Sequence, residues 1–299
     1  MKERIFLVLA NLFWAGNYVI GKYVIEETGP LWLTFIRWSI AFVFLLPISY
    51  ILERPRYIEV LKQSWLPLLT TGVLGIIGYN LLLYGALQYT SPMNAAIVNA
   101  LNPAVIVIFS YFLLKERVSI INLLGFVISL VGVLFILTNG QLQFVFQTSY
   151  NRGDLMMLLA GIVWALYSII GKKLAIPPIT ATTCSVFFSI VLLIPFLFFW
   201  PFPLGSLDKN AIIGTLYISI FPSVISFLLW NISVKKLGPS YAGIYLNLIA
   251  LFTAIITFLL GGTIHPSQLI GGVLVLSGVY LATKAPKNEY SEHQINIKQ

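Results

Sequence analysis

The sequence predicts an all-α integral membrane protein, with ten transmembrane helices arranged as two inverted-topology five-helix repeats. Three observations predict it. Of the 299 residues, 59% are hydrophobic and only 9% charged, against roughly 25% charged in a soluble domain. Ten apolar runs bounded by charge, Gly and Pro follow one another, and crossing hydrocarbon takes about 20 apolar residues. A residue pattern also returns after about 150 positions, dividing the runs into two sets of five.

In order, the helices are expected near residues 5–25, 31–52, 66–88, 93–114, 119–138, 154–172, 178–200, 210–233, 240–261 and 267–283. The start, Met1–Arg4 before an apolar run, resembles a secretory signal. The run reaches Ile25, beyond the 7–15 residues of a signal core, and no small-residue cleavage site closes it, so it reads as a retained first helix. The longest connections, Glu53–Ser64 and Asn139–Gly153, are too short to be domains. The expected organisation is a first five-helix repeat at 1–138, an extracytoplasmic connector at 139–153, a second repeat at 154–283 and a polar cytoplasmic tail at 284–299.

The net charge of +8 and pI near 9.5 would suggest nucleic acid in a soluble chain. Here the basic residues sort by loop instead. Lys2, Arg4, Arg54, Arg56, Lys62, Lys115, Arg117, Lys172, Lys173, Lys235, Lys236, Lys284, Lys287 and Lys298 fall on one side, and Lys22, Arg152 and Lys209 on the other. The positive-inside rule then places both termini in the cytoplasm and the chain in the cell membrane.

The repetition is carried by particular residues. Phe13-Trp14-Ala15-Gly16-Asn17-Tyr18-Val19-Ile20-Gly21-Lys22 returns as Val163-Trp164-Ala165-Leu166-Tyr167-Ser168-Ile169-Ile170-Gly171-Lys172. Pro30 and Pro47 recur at the same spacing as Pro178 and Pro195. Gly125 and Gly132 recur as Gly271 and Gly278 within similar apolar frames. Because each half has an odd number of crossings, the second enters the membrane upside down, and such repeats place a binding site at the midplane between them.

Small residues let helices in lipid approach closely, which accounts for Gly72, Gly75 and Gly78 and the paired glycines above. Trp14 and Trp164 lie two turns inside their helices, where an indole either lines a cavity or packs, and Tyr18 and Ser168 follow on the same faces. Asn99 and Asn102 share a stripe with Ala95 and Ile106, and their carboxamides require protein or a wet cavity. Pro103 removes a donor from the carbonyl of Asn99. Tyr79, Tyr84, Tyr241, Tyr245 and Asn247 add amphipathic groups. Arg37 is the one charge clearly inside a span. Snorkelling to the outer headgroups is its simpler account, and attraction of a substrate carboxylate the alternative. Lys22 and Lys172 read as helix-end anchors or as flanks of two cavity mouths. No Asp or Glu lies centrally in any span, so a buried carboxylate is not expected to couple protons. One cysteine and two histidines exclude a disulfide framework and a metal cluster. No nucleophile–base set and no phosphate-cradling loop is present, so neither an enzyme nor an ATP-driven pump is expected, and no cofactor.

The Trp-Ala-x-x-x-x-x-Gly-Lys pattern of helices one and six, Asn102-Pro103 before Leu113–Arg117, and the paired glycines of helices five and ten resemble the drug/metabolite transporter superfamily in its ten-helix form with two EamA repeats. One departure is Leu260–Thr263, which stands where the first half has Lys115-Glu116-Arg117. The resemblance implies alternating-access transport of small metabolites, often amino acids. The partners expected are a small-molecule substrate and the bilayer, without nucleic acid; the oligomeric state is left open, a monomer being compatible with the reading. Multidrug or nucleotide-type efflux and a non-transporting membrane scaffold are the alternatives weighed.

Overall fold

The computed structural model describes residues 1–90, 92–116, 118–147, 149–200, 208–263 and 265–284. Arg117 and the tail beyond Lys284 lie outside them, as does the side chain of Lys22. Among the described residues there is no strand, and ten helices are long and apolar enough to cross a membrane. They are α1 (Lys2–Gly21), α2 (Tyr23–Leu52), α3 (Tyr57–Ala86), α4 (Asn94–Leu114), α5 (Ile120–Leu137), α6 (Arg152–Lys173), α7 (Pro178–Leu197), α8 (Lys209–Leu237), α9 (Pro239–Leu259) and α10 (Pro266–Lys284).

Local chemistry sets the boundaries. Helices α1 and α2 follow each other in one run, Lys2–Leu52, whose helical geometry breaks at Gly29, inside the range of α2, with φ 72° and ψ 163°. That backbone region is open to glycine alone without strain, and Pro30 follows with a φ suited to starting a helix. Helix α5 begins with Ser119 and Asn122 bonding reciprocally, and α6 with Asn151 and Asp154 doing the same. Asp208 caps α8 by accepting from the Ala211 N–H at 2.7 Å, and also accepts from the Tyr23 hydroxyl at 2.5 Å. The Tyr23 bond, followed by that backbone N–H, holds the Asp208 carboxyl below the usual carboxylate range.

One expectation needs correction. Much of the segment read as the Glu53–Ser64 connection is helical, since α3 starts at Tyr57 and bends at Ser64, where φ is −135° and ψ 22°. Charged residues there suggested a loop. Tyr57, Val60 and Leu61 instead pack on the cluster of Leu68, Leu174, Ala181 and Cys184, while Arg56 and Glu59 pair at 3.3 Å outside. A one-sided apolar face makes a surface helix of what composition reads as a loop.

Both ends of the bundle are tied between the sequence halves. At one, the Arg4 guanidinium donates to the Thr283 carbonyl at 3.1 Å and Lys236 to Glu3 at 2.6 Å, so the start of α1 and the end of α10 share a side. There Glu53 accepts from the N–H groups of Ile179 and Thr180 at 3.1 and 2.6 Å, a carboxylate on the positive N-terminus of α7. Glu116 accepts from the Ser240 N–H at 3.3 Å at the start of α9. At the opposite end Tyr23 meets Asp208, and Thr90 donates to Asp154 at 2.5 Å.

Helices α5 and α10 pack most closely, and glycine is the reason. A Cβ on Gly125 would lie 2.6 Å from the Gly278 carbonyl oxygen, and one on Gly278 would lie 2.5 Å from that of Gly125. Gly132 and Gly271 repeat this reciprocally at 2.6 Å. Leu123, Leu124, Leu269, Ile270 and Val273 on the same two helices stay exposed, the pattern of a surface solvated by lipid. Gly278→Ala should therefore force backbones apart and lower stability by about 1–3 kcal/mol. Gly171→Ala, with nothing within 4 Å of its added carbon, should not. Thermal unfolding of both variants in detergent checks the contrast.

Candidate functional site

Four helices leave regular α geometry near their middles. Helix α3 widens to a π-turn over Gly72–Gly78, and α8 over Phe221–Ser226. Helix α4 breaks at Ala100 and Leu101, between the segments Pro92–Asn99 and Asn102–Leu114, just before Pro103. Helix α9 tightens to a 3-10 turn at Tyr245–Asn247. Irregular backbone at membrane depth is tolerated where protein encloses it or a cavity receives it.

The residues beside these irregularities line one cavity. Its volume is about 30 Å³, room as it stands for about two water molecules. Helix α1 contributes Trp14, Asn17 and Tyr18, α2 Arg37, α3 Tyr79, Asn80 and Leu83, and α4 Asn99 and Asn102. The second half supplies Trp164, Phe227, Leu246 and Ile249. The charge and carboxamides of the wall come from the first half alone, and its aromatic and aliphatic groups from both.

Trp14 and Trp164 meet edge to face, ring centres 5.4 Å apart at 85°. Trp164 also lies 4.9 Å from Tyr79, 5.4 Å from Phe227 and 5.5 Å from Trp230. Aromatic edges and faces of opposite partial charge hold such clusters in fixed geometry. The Trp14 indole donates to the Pro222 carbonyl at 3.2 Å, satisfying backbone inside the π-turn of α8. The Trp164 indole N–H, on a side chain only 3% exposed, has no partner among the described residues. Neither Asn99 nor Asn102 makes a side-chain hydrogen bond to a described residue, and the Oδ1 of each is buried.

Arg37 does not snorkel. It is 3% exposed, and its guanidinium points into the bundle. Nε donates to Ser223 Oγ at 2.8 Å, and Nη1 to Asn80 Oδ1 at 3.0 Å and to the Tyr84 hydroxyl at 2.6 Å. The Trp38 ring lies beneath it at 5.4 Å. Ser223 belongs to the π-turn of α8, while Asn80 follows that of α3 and donates to the Ile76 carbonyl within it at 2.7 Å. The cation therefore ties both widened turns together. Among the described residues no carboxylate lies within ion-pairing distance of it.

The structure thus gathers Trp14, Tyr18, Arg37, Tyr79, Asn99, Asn102 and Trp164 around one space. It places the other candidates elsewhere. Ser168 accepts from the Trp230 indole at 3.3 Å, not from Trp164, the indole on its own face. The Tyr241 ring lies tilted 6.0 Å from that of Tyr245, with Arg4 over it and its hydroxyl on the Thr283 carbonyl, at the end holding the start of α1 and the end of α10. Lys172 donates to the Lys235 carbonyl at 2.6 Å at that same end. Asn247 donates to Ser129 as a structural bond. Asn17, Asn80 and Ser223 were not singled out from sequence. Asn17 could have been, as a carboxamide one turn after Trp14, and Asn80 as the carboxamide following Tyr79.

A ten-helix membrane protein with a polar–aromatic cavity fed by helices from both halves has the architecture of a solute carrier. The model of the EamA-like transporter family matches residues 1–138 and 151–284, so the chain belongs to that family. It is 29% identical to the uncharacterized transporter YyaM of Bacillus subtilis, over 93% of this chain and 92% of the relative. Similarity to the aromatic amino acid exporter YddG of Ancylobacter novellus is 28% identity, covering 76% of this chain and 78% of that one. A crystal structure matching with a TM-score of 0.77 and 22% identity covers 94% of this chain and 96% of its own, a likeness of fold. The protein is a multi-pass membrane transporter.

Ser223→Ala would leave the Arg37 Nε without its acceptor in a buried setting. The expected cost is about 1–3 kcal/mol of stability, read as a lower unfolding midpoint of the purified protein.

Proposed function

We propose that this chain carries small organic metabolites, amino acids first among them, out across the cell membrane by alternating access around the cavity between α1, α2, α3, α4, α6, α8 and α9. The observation that carries the reading is the set of irregular segments in α3, α4, α8 and α9, the third and fourth helices of each half, which flank one cavity bearing unpaired polar groups. Interrupted helices at midplane depth are how carriers present polar groups to a solute inside hydrocarbon.

In this reading, residues 1–138 and 154–283 are inverted repeats joined by 139–153, with the polar segment 284–299 beside the N-terminus in the cytoplasm. Supporting it are the sequence mates Trp14 and Trp164 in contact, the reciprocal glycine pairs of α5 and α10, and the sorting of basic residues to the side of the termini. The YddG relative supports amino acids and export. The aromatic surface of Trp14, Trp164 and Phe227 would take the apolar part of a solute and Asn99 and Asn102 its polar part. The cavity is too tight for an amino acid as it stands, so entry requires the halves to part, with the π-turns of α3 and α8 absorbing the bend.

In proteoliposomes, Trp164→Ala and Asn102→Ala should each slow amino-acid counterflow about ten-fold or more while the unfolding midpoint shows the fold retained. Unchanged flux in both would remove the cavity from the mechanism. Tags at residues 1 and 299 should be accessible from the cytoplasm alone; tags on opposite faces would remove the inverted repeats.

A further inference from the structure

The charge of the cavity is unbalanced, and that imbalance specifies a ligand. Arg37 is 3% exposed and lines the space. Its hydrogen bonds use Nε and Nη1 on neutral oxygens, so Nη2 has no acceptor among the described residues. No Asp or Glu lines the cavity. A guanidinium withdrawn from water is stabilised by an anion far more than by hydroxyls or amides, and its planar donors fit a carboxylate. Other groups of the wall left unsatisfied among the described residues have a different character. Asn99 Oδ1 and Asn102 Oδ1 are buried acceptors without donors, on a wall where Asn102 is 4% exposed. Trp164 Nε1 is a buried donor without an acceptor.

We propose that Arg37 is the carboxylate-binding residue of this cavity, and that its ligands carry one free carboxylate together with a hydrogen-bond donor received by Asn99 and Asn102. An α-amino acid has both groups. The inference rests on the carrier reading for its site and adds the selectivity. A second carboxylate or a phosphate would lie beside no further cation, because Arg37 alone among the lining residues is charged. An amine without a carboxylate would meet the guanidinium as a like charge in a medium of low polarity. Ligand capture is also felt by the fold. Pull on Arg37 is transmitted through Ser223 and Asn80 to the widened turns of α8 and α3, the segments assigned to bending.

The test uses matched sets on the full-length protein: L-phenylalanine, 3-phenylpropionate and phenethylamine, and L-leucine, 4-methylpentanoate and 3-methylbutylamine. Binding is read by thermal shift and by tryptophan fluorescence, and flux by counterflow in proteoliposomes. The carboxylates of at least one set should stabilise the wild-type protein and its amine should not. Arg37→Gln should weaken carboxylate binding about ten- to a hundred-fold, with Arg37→Lys intermediate. Asn102→Leu should weaken the amino acid more than its deaminated acid. If Arg37→Gln does not fold, competition on the wild-type protein decides, with acids displacing one another and amines displacing nothing. Amines binding as tightly as acids, acid binding unchanged in Arg37→Gln, or no binding by any acid overturns the assignment. The two readings fail separately: flux of amines alone sinks the carboxylate site and leaves the carrier, whereas acids that bind without flux leave the site and sink the carrier.

Discussion

Hydrocarbon offers no hydrogen bonds, so every backbone or side-chain polar group in these helices must find a partner within the protein or in a ligand space. That constraint organises the structure. Each interruption of a central helix is matched by a side chain that repairs it or a cavity that receives it. Asn80 donates to the Ile76 carbonyl in one π-turn, Trp14 to the Pro222 carbonyl in the other, and the Ser223 hydroxyl to the Ile218 carbonyl at 2.8 Å. Around the perimeter no such repair is needed. Helices α5 and α10 are unbroken, and their glycines bring backbone against backbone at the cost of a surface able to do little else.

A duplicated chain could have built a symmetric cavity, and this one does not. With the register set by Trp14 and Trp164, the position of Asn17 is held in the second half by Tyr167, and that of Tyr18 by Ser168. With the register set by Pro30 and Pro178, Arg37 corresponds to Ser185, which bonds to Thr71 at 2.7 Å. Five membrane-capable helices and the paired glycines are kept in each half, while the charge and carboxamides of the cavity come from the first half alone and its aromatic rings from both. A space whose charge and carboxamides all come from one half favours amphipathic solutes in one orientation, which a symmetric space would not do.

Arg37 illustrates why a buried cation need not destabilise a membrane protein. Three oxygens and an indole face surround it, and each belongs to a different segment from its own turn except Trp38. The groups that solvate the charge also join α2, α3 and α8. Removing any one of them exposes the rest of the network to an unpaired donor, so position and solvation are one property here.

Much of this was legible in the sequence. Hydropathy and charge are properties of a stretch of chain, and they located all ten helices without reference to contacts. They misjudged Tyr57–Gln63, because a charged amphipathic turn and a loop have the same composition. Trp14, Asn99 and Asn102 stood out as polar or aromatic groups within apolar runs. Tyr241, Tyr245 and Ser168 stood out equally and lie elsewhere, because a single helix carries no record of which neighbour meets its face.

The sequence by itself determined that the chain crosses the membrane ten times, repeats itself, and sorts its basic residues to one side, since lipid selects for apolar length and the membrane for charge placement at each local position. Only the tertiary structure decided that Arg37 turns inward rather than toward the headgroups. Its acceptors Asn80, Tyr84 and Ser223 lie 43, 47 and 186 residues away, and a side chain follows whichever partners the packing of distant helices brings within reach.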